Sequence, residues 1–116
     1  MSLVTRKSAL FLADFDAQFR WYENEAGWEV ACRYLLAVDQ TLEKLAERPD
    51  LGCVRHFEHP DLQDLRSFRV EPPFHRRLIF YRHDNTVLDV VRVMHGARDL
   101  SRRLLQPPGV EDHGTD

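Results

Sequence analysis

Two apolar runs joined by one tight turn constrain this chain more than any other feature. Arg76–His83 and Thr86–Met94 flank Asp84-Asn85. Their β-branched and aromatic content around a turn dipeptide predicts an antiparallel hairpin. Neither run alternates cleanly: Leu78-Ile79-Phe80-Tyr81 and Val90-Val91 place apolar side chains on both faces. Such strands belong in the middle of a sheet and need cover above and below.

The first half supplies one cover. Phe15, Phe19, Tyr22 and Ala26 recur at helical spacing, with Asp14 and Asp16 near the start, where the helix dipole favours negative charge, and Gly27 at the end. Ala31, Leu35, Val38, Leu42 and Leu45 form a second helical stripe, closed by Arg48 and Pro49. The short link at Gly27 makes the two helices an antiparallel pair. Each has one apolar stripe, so the pair must lie on a sheet. Thr5–Ser8 reads as a short first strand, and Cys53–Phe57 as extended. In the strand Leu65–Val70, Arg66, Phe68 and Val70 share a face, and Glu71-Pro72-Pro73 ends it. Past the hairpin, Gly96 suits a sharp turn and Asp99 an N-cap for a short helix, Leu100–Leu105. The expected fold class is α+β, in the order β-α-α-β-β-β with a short C-terminal helix, its mainly antiparallel curved sheet packed on a helical hairpin. Residues 1–105 are expected to form a single domain and 106–116 a flexible acidic tail. The far face of the sheet needs a second cover, either the C-terminal helix or another protein. The expectation is that it stays apolar and arginine-rimmed until another polypeptide docks.

Charge is unevenly spread. Residues 1–64 hold seven basic and twelve acidic residues, whereas residues 65–105 hold nine arginines, no lysine and four acids. Arginine favours planar, bidentate contact with phosphate or carboxylate. No apolar run approaches the roughly 20 residues that span a bilayer, and no secretory leader is recognisable, so the expected location is the cytoplasm. Cys32 and Cys53 have neither redox-motif nor zinc-site spacing and read as reduced thiols. His56, His59, His75 and His83 lack metal-ligand spacing, and no phosphate-cradling glycine loop is present. No metal and no cofactor are expected.

The chemistry-bearing residues gather around the strand end Arg92-Val93-Met94-His95-Gly96-Ala97-Arg98-Asp99. His95 titrates near neutrality and suits a general base, or it hydrogen-bonds within the turn. Arg66, Arg92, His95 and Arg98 are the catalytic candidates if the chain cuts RNA. Arg66, Arg69, Arg76, Arg77, Arg82, Arg92 and Arg98 are candidates for binding a target or partner; Arg76 and Arg77, which open a strand, are expected to be solvated. Arg66 lies on an apolar face and must meet a partner carboxylate, a phosphate, or Asp89 of a neighbouring strand. Tyr81 is expected in the core.

These stretches, taken in order, resemble the ParE/RelE superfamily of toxins, in its ParE-like branch. Ala13-Asp14-Phe15 resembles the start of the family's first helix. Leu45 to Gly52 resembles its Leu…Pro…Gly helix exit, Leu65-Arg66-Ser67-Phe68-Arg69-Val70 its Leu-Arg-x-x-x-Val strand, and Leu78 to Arg82 its Ile-x-Tyr-Arg strand. Arg92 to Asp99 resembles the Arg-Val-x-His-Gly-Ala-Arg-Asp signature. The resemblance implies the toxin of a plasmid-stabilisation-type toxin–antitoxin module, hetero-oligomeric with a cognate antitoxin that lays a helix and an extended segment across it. ParE-type members are associated with poisoning DNA gyrase without chemistry of their own. RelE-type members cut mRNA on the ribosome with basic and aromatic residues, and would make the chain an endoribonuclease. Against that alternative, the chain lacks lysines in the basic strand region and a tyrosine near the C-terminus.

Overall fold

The structure, a computed structural model, describes residues 2–96 and 99–108. Arg98 and most of the acidic tail lie outside the described residues. The elements are β1 (Val4–Lys7), α1 (Ala9–Ala26), α2 (Trp28–Glu47), β2 (Cys53–Val54), β3 (Arg66–Arg69), β4 (Arg77–His83), β5 (Val87–His95) and α3 (Leu100–Leu104). The five strands form one sheet ordered β1-β5-β4-β3-β2, with β1 parallel to β5 and the other pairs antiparallel. The expected α+β plan holds, and the stretch expected as extended from Cys53 contributes a two-residue edge strand, β2.

The predicted hairpin is the centre of the sheet. Asp84 closes it: its carboxylate accepts from the Thr86 and Val87 amides at 2.8 and 2.7 Å. Those bonds, more than charge, hold the Asp84 carboxyl below its usual range. Val91 is a bulge, because Tyr81 faces Val90 while Phe80 faces Arg92. The extra residue shifts the alternation, so Leu88 and Val90 before it and Val93 after it all join the core under the helices. Arg92 and Met94 are left on the far side with Phe80.

Ser8 caps α1 by accepting from the Phe11 amide, and Gly27 separates the helices at φ 97°, a region that only glycine enters freely. The buried residues of α1 are Phe11, Asp14, Gln18 and Tyr22. Phe15 and Phe19, which carried the sequence stripe, are only half-buried and turn toward α2, where Phe15 stacks on Tyr34. The reason is the neighbour of α1. Beyond Val90, the edge of β5 that pairs with β1 has no strand partner among the described residues, and α1 takes that place. Ser8 Oγ donates to Val91 O, Gln18 Nε2 donates to Val93 O, and Asp14 accepts from the Val93 amide. These polar side chains complete the edge of the sheet, as buried backbone groups require. Asp14 therefore does not serve the helix dipole.

The centre of the far face, over β4 and β5, is sealed by the chain itself, contrary to the expectation of an open surface. Leu62 and Leu65, which precede β3, and Leu104 of α3 bury Phe80 and Met94, with Phe57, Val91 and Leu100 around them. Arg92 ties this cover down: Nη1 donates to Leu104 O and Gln106 O, both at 2.9 Å. Gln106, placed by sequence in the tail, is thus held to the body.

Candidate functional site

The arginine-rich half separates into three groups. The first is interior. Arg92 forms a bidentate pair with Asp14, Nε to Oδ2 at 2.6 Å and Nη2 to Oδ1 at 2.8 Å, with side chains 4% and 1% exposed. Arg77, expected in solvent, is fully buried; its guanidinium lies over the rings of Tyr22 and Tyr34, and Nε donates to the Tyr22 hydroxyl. Arg77 opens β4 opposite His95, beneath the helical hairpin, and the aromatic rings replace the water it would otherwise hold. Neither arginine is placed to meet a partner on the surface.

The second group lies beside β2. Arg66 donates to Gly52 O at 2.9 Å and approaches Asp50 at 3.7 Å. The proposed neighbour Asp89 is paired instead with Arg6 at 2.7 Å. Arg82 donates to the carbonyls of Gln63 and Asp61, fastening the loop that seals the far face. Tyr81 is in the core as expected. Its hydroxyl donates to Pro49 O at 2.6 Å and accepts from the Gly52 amide at 2.9 Å. Burial pushes this phenol above its usual range, against the smaller opposing pull of the Gly52 amide and Arg66.

The third group surrounds an open cavity of about 740 Å³ at the part of the far face that remains uncovered. The register explains its lining. Cys53 faces Ser67, and Arg69 faces Leu78, so alternate residues of β2, β3 and β4 point the same way. Arg55, Arg69 and Arg76 line the cavity with Ser67, Leu51 and Leu78, and the end of β5 closes it with His95 and Gly96. Arg55 Nε donates to Ser67 Oγ at 2.9 Å, and Arg69 Nη1 donates to His75 O at 3.3 Å. Gly96 is required by the close approach here: a Cβ would stand 2.9 Å from Leu78 Cδ1 and 3.3 Å from Arg76 O. His95 is nine-tenths buried, and its carbonyl accepts from Arg103 Nη1 at 2.9 Å.

Of the sequence candidates, the structure brings Arg69, Arg76, His95 and Gly96 to one cavity, sets Arg77 across the ladder from His95 but outside the cavity lining, and leaves Arg66, Arg82 and Arg92 outside that lining. Arg55 was missed. Its signal is the alternation Cys53, Arg55 within a stretch too short to read firmly as a strand. Asp99 stands at the start of α3, but its side chain makes no capping bond; it adopts φ 58° and lies 3.6 Å from Arg102. Among the described residues no three His, Cys, Asp or Glu side chains cluster as a metal site, and no helix is long and apolar enough to cross a membrane.

The fold is a helical hairpin packed on one five-stranded sheet. Residues 6–100 match the family described as the ParE toxin of the type II toxin–antitoxin system parDE, and the chain belongs to that family. Among solved structures, a chain of the "Chromosomal ParDE TA system from P. aeruginosa" superposes with a TM-score of 0.66 at 18% identity, covering 83% of this chain and 98% of that one. No curated protein matches by sequence.

Proposed function

We propose that this ParE-family chain arrests growth by binding DNA gyrase, and that a cognate antitoxin holds it inactive in a cytoplasmic complex. The family match over residues 6–100 carries this reading. The interior roles of Arg92 and Arg77 support it further. A ribonuclease of the alternative kind would need its cations at the surface, and Arg92 is instead bound to Asp14 and to α3.

With the far face largely sealed, the antitoxin needs another seat. The solvent side of the helical hairpin offers one. Leu12, Trp28 and Leu36 are 51%, 62% and 58% exposed, and Trp28 sits edge-on to the half-buried Phe19 with ring centroids 5.7 Å apart. An amphipathic antitoxin helix laid over α1 and α2 would bury this stripe. The test is a supercoiling assay with purified chain and gyrase. Inhibition that is relieved by the antitoxin encoded in the neighbouring reading frame is expected. Unimpaired supercoiling, combined with cleavage of translated mRNA in primer extension, would overturn the reading.

A further inference from the structure

We propose that the open edge of β1, with the acidic flank of α2 beside it, docks an extended segment of a separate protein that carries lysine or arginine at alternate positions. The inference goes beyond the toxin reading and stands whether or not gyrase is the target.

Among the described residues β1 ends the sheet: it pairs with β5 and has no strand on its other side. The Val4 and Ser8 amides donate to Thr86 O and Val90 O. Main-chain groups point alternately left and right along a strand, so those of Thr5 and Lys7 point away from β5, to the open side. All four residues of β1 are exposed. An exposed edge with donors and acceptors to spare is a template for one more strand.

The groove of about 340 Å³ beside this edge decides what that strand must carry. Thr5 and Lys7 line one side, and α2 lines the other with Leu42, Asp39, Glu43 and Glu47. The Leu3 amide donates to Ala46 O at 2.8 Å, which ties the start of β1 to the last turns of α2. Asp39, Glu43 and Glu47 are exposed and recur every four residues, so they stand in one row along the helix, with steps of about 6 Å. Alternate side chains of a strand are about 6.5–7 Å apart. An added strand therefore keeps pace with the row over three positions. Among the described residues no ion pair neutralises the row: Lys44 of the same helix turns to Glu71 at 2.6 Å, and Arg6 of β1 to Asp89 at 2.7 Å. Lys7 is the one basic residue in the described lining.

Charge selects among the possible occupants. A nucleic-acid strand would be repelled by three carboxylates. The chain's own C-terminal residues include Glu111, Asp112 and Asp116 and carry the wrong sign. A second copy paired edge to edge would set one acidic row against another, with one Lys7 from each side to offset it. A basic helix could meet the carboxylates but would leave the edge of β1 unused. An extended basic segment meets both.

Fluorescence anisotropy tests this with labelled peptides of eight residues. The first alternates lysine and threonine; the second has the same composition with its four lysines in one block. The wild-type chain should bind the alternating peptide more tightly than the block isomer, and less well as salt rises. Asp39→Asn, Glu43→Gln and Glu47→Gln together should weaken binding at least about fivefold. Glu23→Gln with Glu25→Gln, at the end of α1, should leave it unchanged. Circular dichroism confirms that each variant is folded. N-methylation of either the lysine amides or the threonine amides should abolish binding while methylation of the other set is tolerated, because one set alone points at β1. The proposal is overturned if the alternating peptide does not bind, if the block isomer binds as well, or if the triple variant binds like wild type. It is also overturned if the two methylated peptides bind alike, which removes the strand pairing. A dimer of the chain alone in sedimentation, dispersed by Thr5→Pro, would overturn it too by assigning the edge to a second copy.

Discussion

Replacing Arg92 should be among the most damaging single changes available. Its guanidinium makes two charge-assisted bonds to Asp14 and two bonds to the carbonyls of Leu104 and Gln106, all between 2.6 and 2.9 Å. Arg92→Met leaves the Asp14 carboxylate buried without its guanidinium partner, while the Val93 amide still donates to it at 3.3 Å. Breaking a buried pair by removing one partner costs about 3–5 kcal/mol. For a domain of this size, with a urea m-value of about 1.5–2 kcal/mol/M, the unfolding midpoint should drop by about 2 M. Trp21 and Trp28 provide the fluorescence signal. Removing both charges, as Asp14→Leu with Arg92→Met, should restore much of the loss, because the isolated buried charge is gone; a coupling of about 2–4 kcal/mol is expected. In the single variant, amide exchange at Arg103 and Leu105 should accelerate, since α3 loses its anchor. A cost below about 1 kcal/mol for Arg92→Met, or strict additivity in the double variant, would refute the latch described here.

Tyr81→Phe removes the hydroxyl between Pro49 and Gly52 and should cost about 1–3 kcal/mol in urea unfolding. Because burial raises the Tyr81 phenol in the folded state, the unfolded chain ionises first as pH passes about 10, and stability falls until the folded value is passed. The difference between wild type and Tyr81→Phe should therefore shrink over that alkaline window and be constant below it. Gly27→Ala, at φ 97° and ψ 168°, should lose about 1–3 kcal/mol although nothing lies within 4 Å of the new Cβ, a loss measurable as a lower Tm. Trp28→Asp together with Leu36→Asp should leave stability nearly unchanged, since both side chains are exposed, while weakening antitoxin binding at least about tenfold by calorimetry.

The sequence made the elements that repeat regularly easy to read. The central hairpin, both long helices and the glycine between them follow from periodicity and turn chemistry. What stayed hidden depends on which element lies beside which. Asp14 read as a helix-start charge and Gln18 gave no signal, because nothing local reveals that α1 lies along the edge of β5. Arg77 looked exposed because its aromatic cover, Tyr22 and Tyr34, comes from two helices more than forty residues earlier. The far face looked open because α3 contributes only one fully buried residue, Leu104, and the loop before β3 carries no periodic signal. The surface that remains is narrower than expected, and it gathers Arg69 and Arg76 with Arg55, which the sequence did not single out. The family assignment stands despite the sealed centre of the far face, because it rests on the match over residues 6–100.

The most direct test of a toxin kept in check by a partner is growth after induced expression of the chain in bacteria, with and without the short antitoxin from the adjacent reading frame. Growth should stop when the chain is made alone and resume when both are made. Undiminished growth with the folded chain accumulating on its own would contradict the account.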